Sequence, residues 1–251
     1  MRAVILAAGM GRRLDLADGR PKSLLDFAGS TLLARHLTIL AAAGIERIEF
    51  CLGYRAEMIE AEIARHPARA RVVTRRNADF GEGSLLSLWC MREALAAGEP
   101  ILFMDADVLY DQRMIARLLA APPGSRYLMD RELEPGDEPV KLCLRGGVLV
   151  DLDKKPKLAH DSAGEWIGFA RFTPADAARI RAEAERLIGL GARAAPYEDA
   201  FRAALIAAPG EFGIVDVSDL PWIEIDFAAD LDKARREILP RLLPLPPLSP
   251  A

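Results

Sequence analysis

Length, composition and charge describe a globular protein. The chain has 251 residues, of which 51% are hydrophobic and 28% are charged, and this balance excludes a disordered chain. Its 33 basic and 37 acidic residues are interleaved and leave a net charge of −4, which excludes the basic footprint of a nucleic-acid-binding protein.

The sequence favours a cytoplasmic protein with reduced thiols. We find no stretch that approaches the roughly 20 apolar residues needed to cross a bilayer, and the chain enters a strand without a basic lead or cleavage site. Cys51, Cys90 and Cys143 lie in apolar surroundings and lack the paired spacing of zinc ligands or a redox pair. We therefore expect free core thiols and no membrane partner.

In the first half of the chain, predicted strands alternate with predicted helices. Residues 2–8 form an apolar run that ends at a glycine, and residues 31–43 carry leucines at helical spacing. Such alternation indicates a parallel sheet with right-handed crossovers. The further strands are predicted at 45–54, 70–75 and 100–108, and the further helices at 56–66, at 83–95 and after 108.

From residue 125 onward the pattern changes to short strands separated by glycine and proline turns, which suits a mixed or antiparallel extension. The strands are predicted at 126–130, 140–147, 148–153, 212–217 and 222–226, and the helices at 174–190, 197–207 and 230–239. We expect an α/β fold with a Rossmann-like mixed, mainly parallel sheet. It would form one domain over 1–239, with a substrate-covering extension at about 125–215 and a loosely ordered proline-rich tail at 240–251.

The loop after the first strand favours phosphate binding. It reads LAAGMGRRL and is followed by PKSLL. Gly9 and Gly11 let the backbone turn and expose N–H groups, while Arg12, Arg13 and Lys22 supply positive charge. A dinucleotide fingerprint would need a third glycine where this chain has a leucine, and the Gly-Lys-Ser/Thr of a Walker A loop is absent.

This long pattern resembles the signature of the nucleotidyltransferases that join a nucleoside triphosphate to a sugar phosphate or an alcohol phosphate. The resemblance implies that Arg13 and Lys22 are the catalytic residues, which bind the triphosphate and the transferring phosphate. Arg12 occupies a variable position of the motif. The nucleotide-binding residues implied in this loop are Ala7, Ala8, Gly9, Gly11 and Arg12.

Two predicted strand ends carry carboxylates. FMDADV places Asp105 and Asp107 on one face at the end of a strand where open α/β sheets bind ligands, and WIEID ends in Glu224 and Asp226. Magnesium prefers hard oxygen ligands and takes one or two carboxylates plus substrate phosphates. In isolation such acids could be ordinary strand ends. The resemblance implies that Asp107 and Asp226 hold Mg²⁺, with Asp105 as a supporting residue on the nucleotide side.

Five further segments resemble the cytidylyltransferases for phosphocholine and 2-aminoethylphosphonate: NADFGEGSLLSLW, DEPVK, WIGF, YED and WIEID. The resemblance implies that Asn77, Gly83 and Ser84 recognise the base of CTP, although many relatives carry an asparagine pair where this chain has Gly83 and Ser84. Lys141 and Lys154 would lie over the acceptor phosphate. The alternative for each is a solvated surface lysine.

Aromatic and acidic residues indicate an acceptor with a cationic amine. A quaternary ammonium offers no hydrogen-bond donor, so a protein recognises choline through aromatic faces and nearby carboxylates, whereas a primary amine would prefer more direct acceptors. We expect Trp166 and Tyr197 to hold it with help from Glu198 and Asp199, although most tryptophans are core anchors. The other members of this aromatic and acidic set are Trp89, Phe169, Trp222 and Glu165.

The predicted reaction is transfer of CMP from CTP to a small amine-bearing phosphate or phosphonate, with phosphocholine as the first candidate and Mg²⁺ as cofactor. The acceptor phosphate oxygen is already an anion, so positioning and charge neutralisation would suffice without a general base. One alternative is a sugar-1-phosphate nucleotidyltransferase, which would need polar residues that read hydroxyls. Another is a nucleotide-binding regulatory module, which would not need both metal ligands.

Overall fold

The computed structural model describes residues 1–14, 18–133, 136 and 138–248. The strands are β1 (Arg2–Ala7), β2 (Asp26–Phe27), β3 (Ser30–Thr31), β4 (Arg47–Leu52), β5 (Val72–Arg76), β6 (Ile101–Asp105), β7 (Val108–Tyr110), β8 (Ser125–Asp130), β9 (Lys141–Arg145), β10 (Val148–Asp153), β11 (Ser162–Phe172), β12 (Phe212–Asp216) and β13 (Trp222–Glu224). The helices are α1 (Leu32–Ala42), α2 (Ala56–Arg65), α3 (Ser84–Cys90), α4 (Arg92–Leu95), α5 (Arg113–Ala120), α6 (Pro174–Gly189), α7 (Glu198–Ala207) and α8 (Ala228–Lys233).

A nine-stranded mixed sheet forms the centre of the molecule, in the order β10-β9-β11-β6-β1-β4-β5, with β8 and β12 joined to it through β11. Strands β6, β1, β4 and β5 are parallel, as the alternation of strands and helices predicts. Strand β11 runs antiparallel to β6, β8 and β9. The predicted α/β class with a mixed sheet is therefore confirmed, and β11 joins the four parallel strands to the rest of the sheet, in which β12 pairs parallel with β8 and β10 antiparallel with β9.

Helix α1 shows why the predicted elements form where they do. The Thr31 hydroxyl accepts a hydrogen bond from the Ala34 amide and caps the first turn. Leu33, Leu37 and Leu40 follow at helical spacing and are fully buried. Gly44, with φ +78°, ends the segment as a glycine commonly does after a helix.

Predicted and observed elements differ in several places. The helix expected at 83–95 is divided at Met91 into α3 and α4, and the strand expected at 100–108 ends at Asp105. Strand β11 was not predicted because Gly164 and Gly168 look like breakers of a strand pattern. Its register shifts between Trp166 and Ala170, and this bulge lets one strand pair with three partners.

A separate ribbon of two short strands joins distant parts of the chain. Strand β7 pairs antiparallel with β13, so Val108 lies opposite Glu224. The ribbon continues at both ends, because the Asp111 amide donates to the Pro221 carbonyl and the Ile225 amide donates to the Asp107 carbonyl. Two acidic segments more than one hundred residues apart in sequence are thereby held side by side.

The start of the proline-rich tail is tied to the rest of the molecule, where loose order was expected. The Leu243 amide donates to Asp111 at 2.9 Å, and Gln112 donates to the Pro244 carbonyl at 2.6 Å. Leu245 packs against the hydrophobic core. The proposed division between 1–239 and 240–251, like the extension at about 125–215, stays a prediction.

The cysteines are free thiols, as expected, although only Cys51 and Cys143 are fully buried and Cys90 is half-buried. Within the described ranges, none of the helices combines the length and the apolar character that crossing a bilayer requires.

Candidate active site

The glycine loop follows β1 and wraps around Lys22. Gly11 adopts φ +60°, a conformation that L side chains rarely adopt, and a Cβ atom there would lie 3.0 Å from the Lys22 Cγ atom. The Leu14 amide closes the turn on the Gly11 carbonyl. A cavity of about 350 Å³ opens beside the loop, lined by Met10, Gly11, Arg12, Gly19, Arg20, Lys22 and Tyr54.

The other predicted loop residues divide into a buried and an open part. Ala7 and Ala8 are buried at the end of β1, where the Ala8 carbonyl accepts a hydrogen bond from the Tyr54 amide. Gly9 and Arg12 are exposed. The open part of the loop thus combines exposed backbone with positive charge. Its role in binding phosphate stays a prediction.

Three carboxylates converge across the ribbon. Asp107, Glu224 and Asp226 each offer an oxygen, and these oxygens all lie within 4.8 Å of one another. The Lys22 ammonium donates to Asp226 Oδ1 at 2.5 Å and to Asp107 Oδ2 at 3.1 Å. The two predicted metal ligands and one predicted catalytic residue are therefore brought together from three distant parts of the sequence.

The charges of this cluster perturb one another. Burial opposes the charged form of Lys22, but the carboxylates of Asp107 and Asp226 outweigh it and raise the pKa of Lys22. The Glu224 side chain is open to the cavity, yet desolvation by the surrounding protein, together with the charges of Asp107 and Asp226, raises its pKa to about 8. Negative charge is thus in excess here even beside the ammonium.

The acidic cluster fits a magnesium ion by its chemistry. All three side chains offer hard oxygen atoms, and a divalent cation would offset the excess negative charge that raises the pKa of Glu224. Sequence reasoning did not assign Glu224 to the metal. The signal was present, because alternate residues of the WIEID strand share a face, which places Glu224 beside Asp226.

Arg13 connects the acidic cluster to the opposite side of the site. Its guanidinium donates to Asp226 Oδ2 at 2.7 Å and to Glu138 Oε2 at 2.9 Å. The same Glu138 oxygen accepts a hydrogen bond from the Lys154 ammonium at 3.1 Å. A single anionic group therefore lies between two cations that the sequence assigns to phosphate. Glu138 was not predicted as a site residue, and its contacts depend on side chains far away in sequence.

The two lysines predicted for the acceptor phosphate have different surroundings. Lys154 lines the larger cavity of the site. Lys141 does not line it and donates to two backbone carbonyls, at 3.2 Å to Gly136 and at 2.9 Å to Lys154. Its contact thus supports the chain at Lys154.

A second cavity, of about 720 Å³, extends from Arg13 towards α7. Of the aromatic and acidic residues predicted for the acceptor, those that line it are Trp166, Tyr197, Trp222, Glu165 and Glu198. Three others lie elsewhere: Trp89 is exposed and stacks on Arg92, Phe169 is fully buried in the core, and Asp199 is exposed outside the cavity lining.

Asp105 and Asp107, expected on one face, have different partners. Asp105 lines the larger cavity and accepts a hydrogen bond from the Tyr197 hydroxyl at 2.5 Å, whereas Asp107 contacts Lys22. Burial and the charge of Asp107 raise the pKa of Asp105. Gly168, with φ +81°, makes room for it, since a Cβ atom there would lie 2.6 Å from Asp105 Oδ2.

The residues predicted to read the base make contacts within the chain. Asn77 donates to the Ser87 hydroxyl and accepts from the Asp79 amide. The Ser84 hydroxyl accepts a hydrogen bond from the Tyr197 amide at 3.0 Å. At Gly83 a Cβ atom would lie 2.7 Å from backbone atoms of the loop before α7. Their role towards the base stays a prediction, and their contacts join the start of α3 to the acceptor cavity.

His36, on α1, lies behind the acidic cluster. It is fully buried and donates from Nε2 to the Ala106 carbonyl at 3.1 Å, between Asp105 and Asp107. Burial lowers its pKa to about 4, so the ring is neutral at neutral pH. His36 thus fixes the backbone that carries both aspartates.

A cationic glycine loop that faces an acidic cluster, at the ligand-binding edge of a mixed sheet, defines the nucleotidyltransferase class. Residues 3–166 match the model of the MobA-like NTP transferase domain, and the chain belongs to this family.

Comparison with individual proteins gives relatives of different length. The chain is 30% identical over 249 residues to the CMP-5'-(3-aminopropyl)phosphonate synthase of Streptomyces rubellomurinus; the match covers 93% of this chain and 38% of that protein. It is 22% identical to the CTP:phosphoglutamine cytidylyltransferase of Campylobacter jejuni, over 92% of this chain and 98% of that protein. The chain thus spans little more than a third of the first relative and nearly all of the second.

The fold is shared with a solved enzyme. The structure of the CTP:phosphocholine cytidylyltransferase from Streptococcus pneumoniae aligns with a TM-score of 0.70 and 19% identity, over 93% of this chain and 97% of that one. At this identity the likeness concerns the fold.

Proposed function

We propose that this protein transfers CMP from CTP to a small amine-bearing phosphate or phosphonate and releases pyrophosphate. The observation that carries the proposal is the bridge made by Arg13, which pairs with Asp226 of the acidic cluster and, through Glu138, with Lys154 of the acceptor cavity. A triphosphate at the glycine loop and an anionic acceptor group at Lys154 would then meet at Arg13.

The relatives support the choice of nucleotide and of acceptor. The names of the Streptomyces and Campylobacter proteins both combine a cytidine nucleotide with a small phosphorylated or phosphonate compound. The acids that line the larger cavity support an acceptor with a positive charge at its other end. Phosphocholine, the first candidate from the sequence, and 2-aminoethylphosphonate both have this form.

In the proposed reaction, an acceptor phosphate or phosphonate oxygen attacks the α-phosphorus of CTP. A new P–O bond forms to the acceptor, the bond between the α-phosphorus and the bridging oxygen breaks, and pyrophosphate leaves with its electron pair. Lys22 and Arg13 offset the negative charge of the phosphates and hold them in line. When bound by Asp107, Glu224 and Asp226, Mg²⁺ would supply further charge neutralisation at the phosphates.

A pyrophosphate-release screen tests the proposal. Four nucleoside triphosphates are each combined, with Mg²⁺, with phosphocholine, 2-aminoethylphosphonate and a sugar 1-phosphate. We expect release with CTP and an amine-bearing acceptor. Release with the sugar 1-phosphate alone would favour the sugar-phosphate reaction instead. Nucleotide binding without release from any mixture would favour a regulatory module.

A further inference from the structure

Two cysteines that are far apart in the sequence meet where α3 packs on β4. Cys51 lies near the end of β4, Cys90 ends α3, and both belong to the same hydrophobic cluster. Leu52, the next residue on β4, lies opposite Arg76 of β5. The Cys90 thiol in turn donates to the Arg76 carbonyl at 3.5 Å. This packing brings the Cys90 thiol beside that of Cys51, and the two interact through a hydrogen bond.

The thiols of the chain differ in their access to solvent. Cys51 and Cys143 are fully buried, whereas Cys90 is half-buried. Of the three thiols, Cys90 alone can therefore meet a small solute while the protein stays folded. Cys143 provides an internal reference, because it is as enclosed as Cys51 and burial raises its pKa to about 11.

The surroundings of Cys90 favour its thiolate. The hydrogen bond from Cys51 is the main cause, and the positive charges of Arg92 and Arg75 add to it. Burial and the charge of Glu93 oppose these contributions, yet the pKa of Cys90 is lowered to about 7. The same hydrogen bond, together with burial, raises the pKa of Cys51. A half-open thiolate beside a second thiol is the arrangement in which a cysteine reacts with peroxide and is then resolved.

We propose that Cys90 is a site of oxidation by hydrogen peroxide and that Cys51 resolves it to an intramolecular disulfide. In the first step the Cys90 thiolate attacks a peroxide oxygen, the O–O bond breaks, and hydroxide leaves, so that the sulfur becomes a sulfenic acid. In the second step the Cys51 sulfur attacks this sulfur, the S–O bond breaks, and the departing hydroxide takes the Cys51 proton. The two thiols lose two electrons, and the peroxide is reduced to two waters.

The oxidation is independent of the proposed CMP transfer. Neither cysteine lines the two cavities of the candidate active site. Cys51 also interacts with the Ser87 hydroxyl, to which Asn77 donates at 3.1 Å, so one side chain separates the thiol pair from a residue predicted to read the base. The reaction can therefore be tested without nucleotide or acceptor.

Peptide mapping after mild peroxide treatment tests the proposal. The reduced full-length protein and the variants C51S, C90S and C143S are incubated with a slight excess of hydrogen peroxide, and the remaining thiols are alkylated after unfolding. Parallel samples contain dimedone, which traps sulfenic acids. In the wild type we expect a mass lower by two hydrogens, a peptide that links residues 51 and 90, and loss of the Cys90 thiol at least about tenfold faster than that of Cys143.

The variants separate the two steps. C51S should stop at the sulfenic acid and give a dimedone adduct on Cys90, C90S should keep both remaining thiols, and the control C143S should behave as the wild type. A wild type whose Cys90 stays reduced, or whose Cys143 is oxidised as fast as Cys90, overturns the proposal. A disulfide that forms only between two chains overturns the role of Cys51. If C51S does not fold, the linked peptide of the wild type decides.

Discussion

The nucleotide side and the acceptor side of the site treat charge in opposite ways. On the nucleotide side, Lys22 and Arg13 each lie within 3.1 Å of carboxylates, so the protein neutralises its own cations. On the acceptor side, the Oε2 atom of Glu198 has no donor among the described residues, and Asp105 accepts from a neutral tyrosine. The phosphates of a nucleotide must therefore displace the carboxylates that already pair with Lys22 and Arg13. An amine would instead meet acids that have no cationic partner among the described residues. The two substrates are therefore recognised by different means. The nucleotide replaces existing ion pairs, whereas the acceptor supplies a positive charge to acids that lack one.

The largest effect is expected from the acids that connect the two sides. Asp107→Asn and Asp226→Asn should each lower Mg²⁺-dependent kcat/KM about 10³-fold, because both carboxylates would serve one ion. The double variant should be little worse than either single one, since loss of one ligand already disables the unit. Steady-state kinetics across a Mg²⁺ titration measure this, with Asp232→Asn as an exposed acidic control on α8.

If kcat/KM of the double variant fell by the product of the two single losses, this result would contradict a shared ion. It would mean that the ribbon brings the two carboxylates together for separate tasks, and that the acidic cluster is not a single centre.

Removal of the central cation should have the next largest effect. Lys22→Ala should lower kcat about 10²-fold, because one charge that stabilises the phosphates is lost, while the fold is retained. Turnover is measured beside thermal unfolding, with Arg65→Ala as control, since Arg65 is 77% exposed and makes only a loose pair with Glu62. A Lys22→Ala enzyme within threefold of the wild type would exclude Lys22 from the nucleotide side.

On the acceptor side, kcat/KM should change by about tenfold with pH. Glu198 has a raised pKa of about 6, so it loses its charge as the pH falls through 6, and kcat/KM for 2-aminoethyl phosphate should fall with it. The charged groups that face Glu198 are Asp105, Asp153, Lys154, Asp199 and Glu224.

The substrate phosphate also titrates near pH 6, so the test is the ratio of wild type to E198Q across the pH range. This ratio should fall towards one below about pH 6, because E198Q shares the substrate titration and lacks the carboxyl. A ratio that is constant from pH 5 to 8 would show that Glu198 does not act through its charge.

The smallest effect is expected from Glu138, whose carboxylate contacts the two cations proposed to bind phosphate. Glu138→Gln should lower the acceptor KM by about threefold, because the competing charge is removed and exposed ion pairs are weak. The salt dependence of KM checks the cause, since the benefit should shrink as ionic strength rises. A higher KM would mean that Glu138 contributes to binding instead of competing with it.

The sequence best predicted those parts of the site whose residues lie close together in the chain. The glycines and cations of the first loop are close together in the chain, so Lys22 could be assigned to the phosphate loop from its position alone. The pairing of Asp107 with Asp226 was implied by the family resemblance, because the strand before Asp226 belongs to the separate ribbon. The parallel direction of β1, β4, β5 and β6 followed from the alternation of strands and helices, whereas their order in the sheet was not predicted.

What the sequence could not predict depends on contacts between distant side chains. Strand β11 contains glycines that suggest an interruption, and only its pairing with three partners explains why it continues. The contacts of Glu138 with Arg13 and Lys154 arise where separate elements meet, and so does the lack of a donor at Glu198 Oε2 among the described residues. The burial of Trp166, which leaves its ring almost closed, likewise follows from packing.

The short ribbon of β7 and β13 has a consequence for protein engineering. Successive side chains of a strand point to opposite faces, so the insertion of one residue after Pro221 would move Glu224 and Asp226 out of register with Asp107. The nine-stranded sheet would keep its hydrogen bonds, because neither ribbon strand belongs to it. Libraries that aim to widen acceptor range should therefore vary the loops before β9 and α7 and leave the length of the ribbon unchanged.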